Sequence, residues 1–448
     1  MFTKSPNHNI NYLASIVDIQ SFRPHSNADR LKIATIYGNN VITGIAASEG
    51  LFCYFPLESA LSSDFLSYTN SFRDKELNRD KNVASMFESH GRVRALRLRG
   101  EKSEGYMVPI SVLEDFVKNF LGLKISSDDF KVGTDFDTVG DHQICRKYIP
   151  KGTRQQSNSS KKTKGNVKKY QSKLVENQFR FHPSTEQLKR NSDKISPNDY
   201  IYITEKYHGT SFVVSNVLVK KILSFKDKIF QYFGAKIVDT EYGMLYSSRS
   251  VLKNQNMDKE NNNDHFYDSD VWKIVADKIY PCLKKGYSVY GEIVGYTPTG
   301  SMIQKDYDYG CQISNLDYLI YRMTYTNVDG DVFELSPNQL EDYCSRYGLK
   351  IPLVHYNGRA KELYPELCTD NSWNDNFLKL LEKDYLEKDC IFCKSKPNIP
   401  AEGIIVRIDK PNTWEVYKLK SFRFLQKESD SLDAGILDME TSQNLDIE

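Results

Sequence analysis

The chain has 448 residues, with 60 basic and 59 acidic side chains, a net charge of +1, 27% charged and 40% hydrophobic positions. This length predicts roughly two to four domains, and the near-neutral balance excludes a uniformly cationic coat for nucleic acid while leaving room for a local basic groove. No apolar run approaches the ~20 residues that span a bilayer. The first residues, Met1 to Asn7, lack an apolar signal core, and the eight cysteines are scattered, which suits reduced thiols better than a disulfide scaffold. A cytoplasmic (intracellular, reducing) protein without membrane contact is expected.

From the N-terminus, short strand-like runs alternate with turn residues: Asn11 to Val17, Leu31 to Tyr37, and Asn40 to Gly44 after a Gly38-Asn39 turn. Arg92 to Arg99 alternates almost strictly, with Arg92, Arg94, Arg97 and Arg99 expected to face mostly outward as a nucleic-acid face or an ordinary solvated one. Short strands around one long excursion, about 55–90, predict a small OB-like β-barrel over 8–150. Lys151 to Lys173 then carries eight basic residues, no acid and few apolar groups. Such a segment buries too little surface to offset its ordering entropy, so 151–174 reads as a basic flexible linker. From about 175 to 427, helical spacing (Val271 to Ile279, Asn376 to Glu387) mixes with strands (Tyr200 to Thr204, Tyr287 to Val294, Asp317 to Tyr325, Gly403 to Ile408, Thr413 to Leu419). Insertions are expected at about 217–240 and 340–398. Glu428 to Glu448 carries seven acids and no base and reads as an acidic disordered tail.

Within the second module, Ile203 to Phe212 is an alternating strand that runs into Lys206-Tyr207-His208-Gly209. A Lys-x-x-Gly step is the nucleophile signature of covalent nucleotidyltransferases. A lysine amine that attacks phosphorus must be neutral, so its ordinary pKa near ~10.4 must fall, and a glycine lets backbone approach the nucleotide. Alone the motif is common. In order after it come Ser247-Ser248-Arg249-Ser250, Tyr290 to Gly295, Tyr318 to Arg322, Glu402 to Arg407 and Val416 to Ser421. Alternation puts Glu402, Ile404 and Val406 on one face, and Lys418 with Lys420 opposite Tyr417 and Leu419, a lysine pair suited to clamping phosphate.

The ordered series resembles motifs I, Ia, III, IIIa, IV and V of ATP-dependent polynucleotide ligases and capping enzymes, and more narrowly the Deinococcus-type RNA ligases, the fifth RNA ligase family. Phe181 to Asn191, Asn27 to Leu31 and Leu96 to Gly105 share in that resemblance. It implies an α+β chain: an N-terminal OB-like domain that grips nucleic acid, then an adenylyltransferase (nucleotidyltransferase) domain of antiparallel sheets flanked by helices, ATP-grasp-like. It further implies that Lys206 forms a lysyl–AMP adduct and that Glu205 seats adenine largely through backbone beside Gly209. Arg249 meets the ribose or orients neighbouring groups, Glu292 and Glu402 serve ribose and a divalent Mg²⁺ or Mn²⁺, Tyr321 and Val406 sandwich the base, and Lys418 and Lys420 hold the α-phosphate. Two positions depart from the common pattern: His208 stands where many relatives have Asp, as in one branch of RNA ligases, and Arg322 follows the stacking aromatic where some have an acid.

The expected activity is sealing of 3′-OH/5′-phosphate breaks in RNA or RNA-containing nicked duplexes, by a monomer. The alternatives are a DNA ligase, a GTP-using capping enzyme, or a non-catalytic nucleic-acid binder with a degenerate transferase fold. DNA ligases and capping enzymes usually place the OB domain last, and the intact Lys206, Glu292, Glu402, Lys418 and Lys420 argue against degeneracy. Cys390-Ile391-Phe392-Cys393 has no second pair nearby to complete a four-ligand zinc site, so plain thiols are expected there. His182, before Pro183, is a candidate for nucleotide contact or for a surface role.

Overall fold

The computed structural model describes residues 1–150, 172–255, 267–367, 372–411 and 413–435. Nearly all of the predicted linker, and the tail beyond residue 435, lie outside the described residues.

In the first module, Leu31–Ile36 and Asn39–Gly44 form the expected hairpin. Its two-residue turn is Tyr37-Gly38, both at positive φ, one residue earlier than the sequence suggests. A four-stranded sheet runs in the order Gly105–Pro109, Gly50–Pro56, Ala14–Ile19, Asp135–Phe136. Smaller ladders surround it, and among the described residues the hydrogen-bonded strands do not close into a ring. The arginine run corrects a second expectation. Only Leu96–Leu98 is strand, and Arg92 points inward, with a fully buried side chain bonded to Glu58 and to Asp433 of the second module.

The second module holds two five-stranded sheets. One is ordered Glu186–Gln187, Thr413–Lys420, Gly403–Lys410, Tyr200–Lys206, Val354–Arg359, antiparallel except for the parallel pairing of its first, two-residue member. The other is ordered Thr240–Ser247, Thr210–Lys220, Tyr287–Gly295, Leu316–Thr326, Val332–Glu334, antiparallel throughout. Each sheet buries one face under a helix. Trp373–Tyr385 lays Trp373, Phe377 and Leu381 against Ile201, Ile203, Ile404 and Ile408 of the first sheet. Val271–Ile279 lays Trp272, Val275 and Ile279 against Phe212, Val214, Val289 and Ile320 of the second. Strand alternation then turns the opposite faces toward a common cleft.

Two predicted boundaries move. The stretch read as an insertion at 340–398 contributes Val354–Arg359, an edge strand of the first sheet, as well as Trp373–Tyr385. The predicted tail begins inside a helix, Phe422–Asp433. That helix is anchored by Phe422 and Phe424 in the core, a contact its acidic composition does not reveal.

Salt bridges join the modules. Lys189 is held between Glu104 of the first module, at 3.0 Å, and Glu382 of the second, at 2.8 Å. Arg190 reaches Asp135 at 2.6 Å, and Arg94 reaches Asp433 at 2.8 Å.

Candidate active site

The cleft is a cavity of about 530 Å³ lined by both modules. Tyr200–Lys206 alternates into it: Ile201 and Ile203 lie in the core, while Tyr202, Thr204 and Lys206 line the cavity. The amine of Lys206 lies 2.9 Å from Oε1 of Glu402. From the next strand but one, Lys420 reaches the same oxygen at 3.2 Å and Glu428 at 3.4 Å. Burial favours the neutral carboxyl of Glu402, but Lys206, Lys420 and His208 outweigh it and hold the pKa down to about 2. Burial likewise opposes the charge on Lys420, yet Glu428 and Glu402 keep it above the usual lysine value.

Glu402 gets into the cleft because of Gly403. That residue has φ +139°, and a Cβ there would come 2.1 Å from the carbonyl of Leu419. The bend breaks the alternation, so Glu402 enters the cleft while Ile404, Val406 and Ile408 face the core. The sequence reading of Val406 as a wall of the base pocket is therefore corrected: Val406 is fully buried, and its neighbours Ile405 and Arg407 line the cavity.

Gly209 has a different reason for lacking a side chain. A Cβ would sit 2.2 Å from the carbonyl of Ile293, on the strand that presents Glu292. The close approach lets the Gly209 N–H donate to Glu292 Oε1 at 3.1 Å, and Ser211 Oγ donates to Oε2 at 3.2 Å. Behind this loop the His208 N–H donates to Tyr309 Oη at 2.6 Å, and the His208 ring meets Tyr307 and Phe424 edge-on.

Glu205, Arg249, Glu292, Tyr321 and Lys418 all line the cavity, as do His182 and Arg322. His182 packs edge-to-face on Tyr321, centroids 5.3 Å apart, which favours its site role over a surface one. The Glu205 carboxylate is engaged by His355 Nε2 at 2.8 Å. Among the predicted site residues only Val406 is turned away.

Several residues escaped sequence reasoning. Gln304, buried, donates from Nε2 to the carbonyl of Gly209 at 2.8 Å. Glu334, where burial raises the carboxyl pKa against Arg322 and Arg407, receives Arg322 Nε at 2.9 Å and Arg407 Nη1 at 3.4 Å. Trp414 stacks under both guanidinium groups, each 5.2 Å from its centroid. A sequence gives no signal for Gln304, whereas Arg407 stands at the end of the Glu402 to Arg407 motif. Cys390 and Cys393 have their sulfurs 2.8 Å apart and pack beside Tyr307 and Phe424. Among the described residues no group of three or more His, Cys, Asp or Glu side chains is arranged to hold a metal, and no helix is long and apolar enough to cross a membrane.

Two sheets facing across a cleft, with a lysine at a strand end and paired lysines on the next strand but one, define a nucleotidyltransferase-type fold. Residues 199–422 match the model of the RNA ligase family, and the chain belongs to that family. Among solved structures it is similar to Naegleria gruberi RNA ligase. A variant described with AMP and Mn shares 14% identity at a TM-score of 0.56, covering 93% of this chain and 99% of that one. Another, described with ATP and Mn, shares 13% at 0.54, covering 94% and 100%. At such identity the likeness is one of fold, and it extends over both modules. No curated protein matches the chain.

Proposed function

We propose that this protein is an ATP-dependent RNA ligase that seals 3′-OH/5′-phosphate nicks in duplex RNA or RNA-containing duplexes through a lysyl–AMP intermediate. The observation that carries the proposal is the convergence of Lys206, Glu402 and Lys420 on one oxygen inside a nucleotide-sized cavity. The order of modules and motifs favours the Deinococcus-type branch, with the first module as an OB-like nucleic-acid grip.

In the first step the Lys206 amine, its proton lost to solvent, attacks the α-phosphorus of ATP. An N–P bond forms, the bond to the β-phosphate bridging oxygen breaks, and pyrophosphate leaves. An oxygen of a polynucleotide 5′-phosphate then attacks the adenylate phosphorus, breaking the N–P bond and freeing Lys206, and finally a 3′-OH attacks the phosphorus of that 5′-phosphate, forming the phosphodiester and expelling AMP. These are phosphoryl transfers in which positioning and charge neutralisation do most of the catalysis. Lys418 and Lys420 neutralise the α-phosphate, Tyr321 and Ile405 flank the base, and Arg249 and Glu292 meet the ribose.

The donor set suits a hard divalent ion. Glu402 Oε2 is buried with no hydrogen-bond partner, and Glu292 adds a second carboxylate, so these two would hold Mg²⁺ or Mn²⁺ directly or through water. Such an ion supplies charge stabilisation at the phosphate oxygens.

The decisive experiment incubates the protein with α-labelled ATP and either metal. Wild type should retain label on the chain and Lys206→Ala should not. Sealing is then compared on nicked duplexes carrying RNA or DNA at the 3′-OH side. Label from GTP in place of ATP would instead favour a capping activity, and equal sealing of both ends would remove the RNA-end preference.

A further inference from the structure

The turn between Thr210–Lys220 and Thr240–Ser247 is not a tight one. It projects a helix, Phe225–Tyr232, started by a reciprocal cap in which Ser224 Oγ accepts from the Asp227 N–H while the Asp227 carboxylate accepts from Ser224. The base of the projection is closed by a bond from the Lys221 N–H to the Asp239 carbonyl at 2.9 Å. On it four aromatic side chains are left in solvent: Phe225 78% exposed, Phe230 57%, Tyr232 87% and Phe233 78%. Each forgoes the free energy that burial of a large apolar side chain brings, and grouped exposed apolar residues mark interaction surfaces. Residues 220–239 contain five lysines against two aspartates, and Lys220, Lys226 and Lys236 are exposed.

We propose that this projection is a docking surface for the substrate RNA, remote from the active site. The proposal rests on the RNA-ligase reading for its choice of polyanion. At about 100° per residue, Phe225, Ile229, Tyr232 and Phe233 share one arc, and Lys226 falls between Phe233 and Phe230. A cation set among rings suits a strand whose bases stack while its phosphates run alongside. The reach is also informative. Thr210–Lys220 starts beside Gly209 and spans eleven residues, roughly 36 Å at about 3.3 Å per residue. Only a long polymer can occupy the site and this surface together.

The test uses full-length protein and two variants: Phe225→Ser/Phe230→Ser/Tyr232→Ser/Phe233→Ser, and Lys226→Glu/Lys236→Glu. The probes are nicked RNA duplexes, one confined to the neighbourhood of the nick and one, the long duplex, carrying a single-stranded extension that reaches well beyond the length of that strand, where unpaired bases are free to stack. Both variants should take label from ATP at the wild-type rate, since no altered side chain lines the cleft. Both should bind the long duplex at least about tenfold more weakly and seal it more slowly below saturation, with the short duplex unaffected. The lysine variant should also show a shallower dependence of binding on salt. Equal losses on short and long duplexes, or no loss on either, overturn the proposal. So does a loss confined to vesicles of phosphatidylcholine and phosphatidylserine, or to self-association by sedimentation. Binding is read independently of chemistry, so failure of wild type to form lysyl–AMP would count against the catalytic reading alone.

Discussion

Lys206 and Lys420 meet on a single oxygen, Oε1 of Glu402, at 2.9 and 3.2 Å. One buried carboxylate thus serves two cations that sit on different strands. Glu402→Gln keeps the shape and removes the charge, leaving two ammonium groups without their shared counter-ion. Labelling from α-labelled ATP should fall by at least ~100-fold, and wild-type labelling in this variant would refute the assignment. The carboxyl is held down to about 2 from an ordinary 4.5. Its contribution to stability is therefore present above pH 4.5 and disappears as pH falls through about 2.

Ile405 and Val406 are adjacent and should fail differently. Ile405→Ala opens the cavity wall and should raise the KM for ATP with little loss of stability. Val406→Ala removes methyl groups from a closed core and should cost about 1–3 kcal/mol with KM nearly unchanged. Steady-state kinetics and thermal melting on the same two proteins decide it.

Gln304 holds the loop that follows Lys206 by donating to the Gly209 carbonyl. In Gln304→Leu that buried carbonyl loses its partner, at a cost of about 1–3 kcal/mol. Single-turnover formation of the lysine adduct should slow, with a melting temperature only a few degrees lower. An unchanged rate would reduce Gln304 to a packing residue.

Glu58 of the first module lies against Glu428 and Ser429, and burial pushes its carboxyl up to about 7. An acid whose folded value is raised favours the folded protein below its ordinary value of 4.5, and the benefit fades as pH rises through about 7. Glu58→Gln should melt like wild type at pH 5 and above it at pH 8. Parallel melting curves at both pH values would contradict this.

Arg92 has no exposed side-chain surface and is held by Glu58 and Asp433. Arg92→Met takes the guanidinium from Glu58, while Asp433 keeps Arg94, and should loosen the modules at a cost of about 1–3 kcal/mol. Limited proteolysis should then release the first module faster than in wild type.

Much of the second module was legible because strand alternation is local: Lys206, Glu292, Lys418 and Lys420 fall where period two puts them. The face of Val406 was misread because a glycine bend at residue 403 breaks the period, and nothing in Glu402-Gly403 announces a φ of +139°. Arg92 was misread because its partner Asp433 stands 341 residues away, beyond any local pattern. The same distance hides Gln304 and Glu334, whose roles depend on which strands become neighbours. Closure of the first module could not be read from its strand content: its strands form, but among the described residues they fall into several short ladders.

The two-residue strand Glu186–Gln187 lies parallel against Tyr417 and Lys418. An uncovered strand margin invites pairing with another chain. This short stretch occupies the part of the outer margin, beside Tyr417 and Lys418, where an intruding strand would otherwise bond to the strand that carries Lys418 and Lys420.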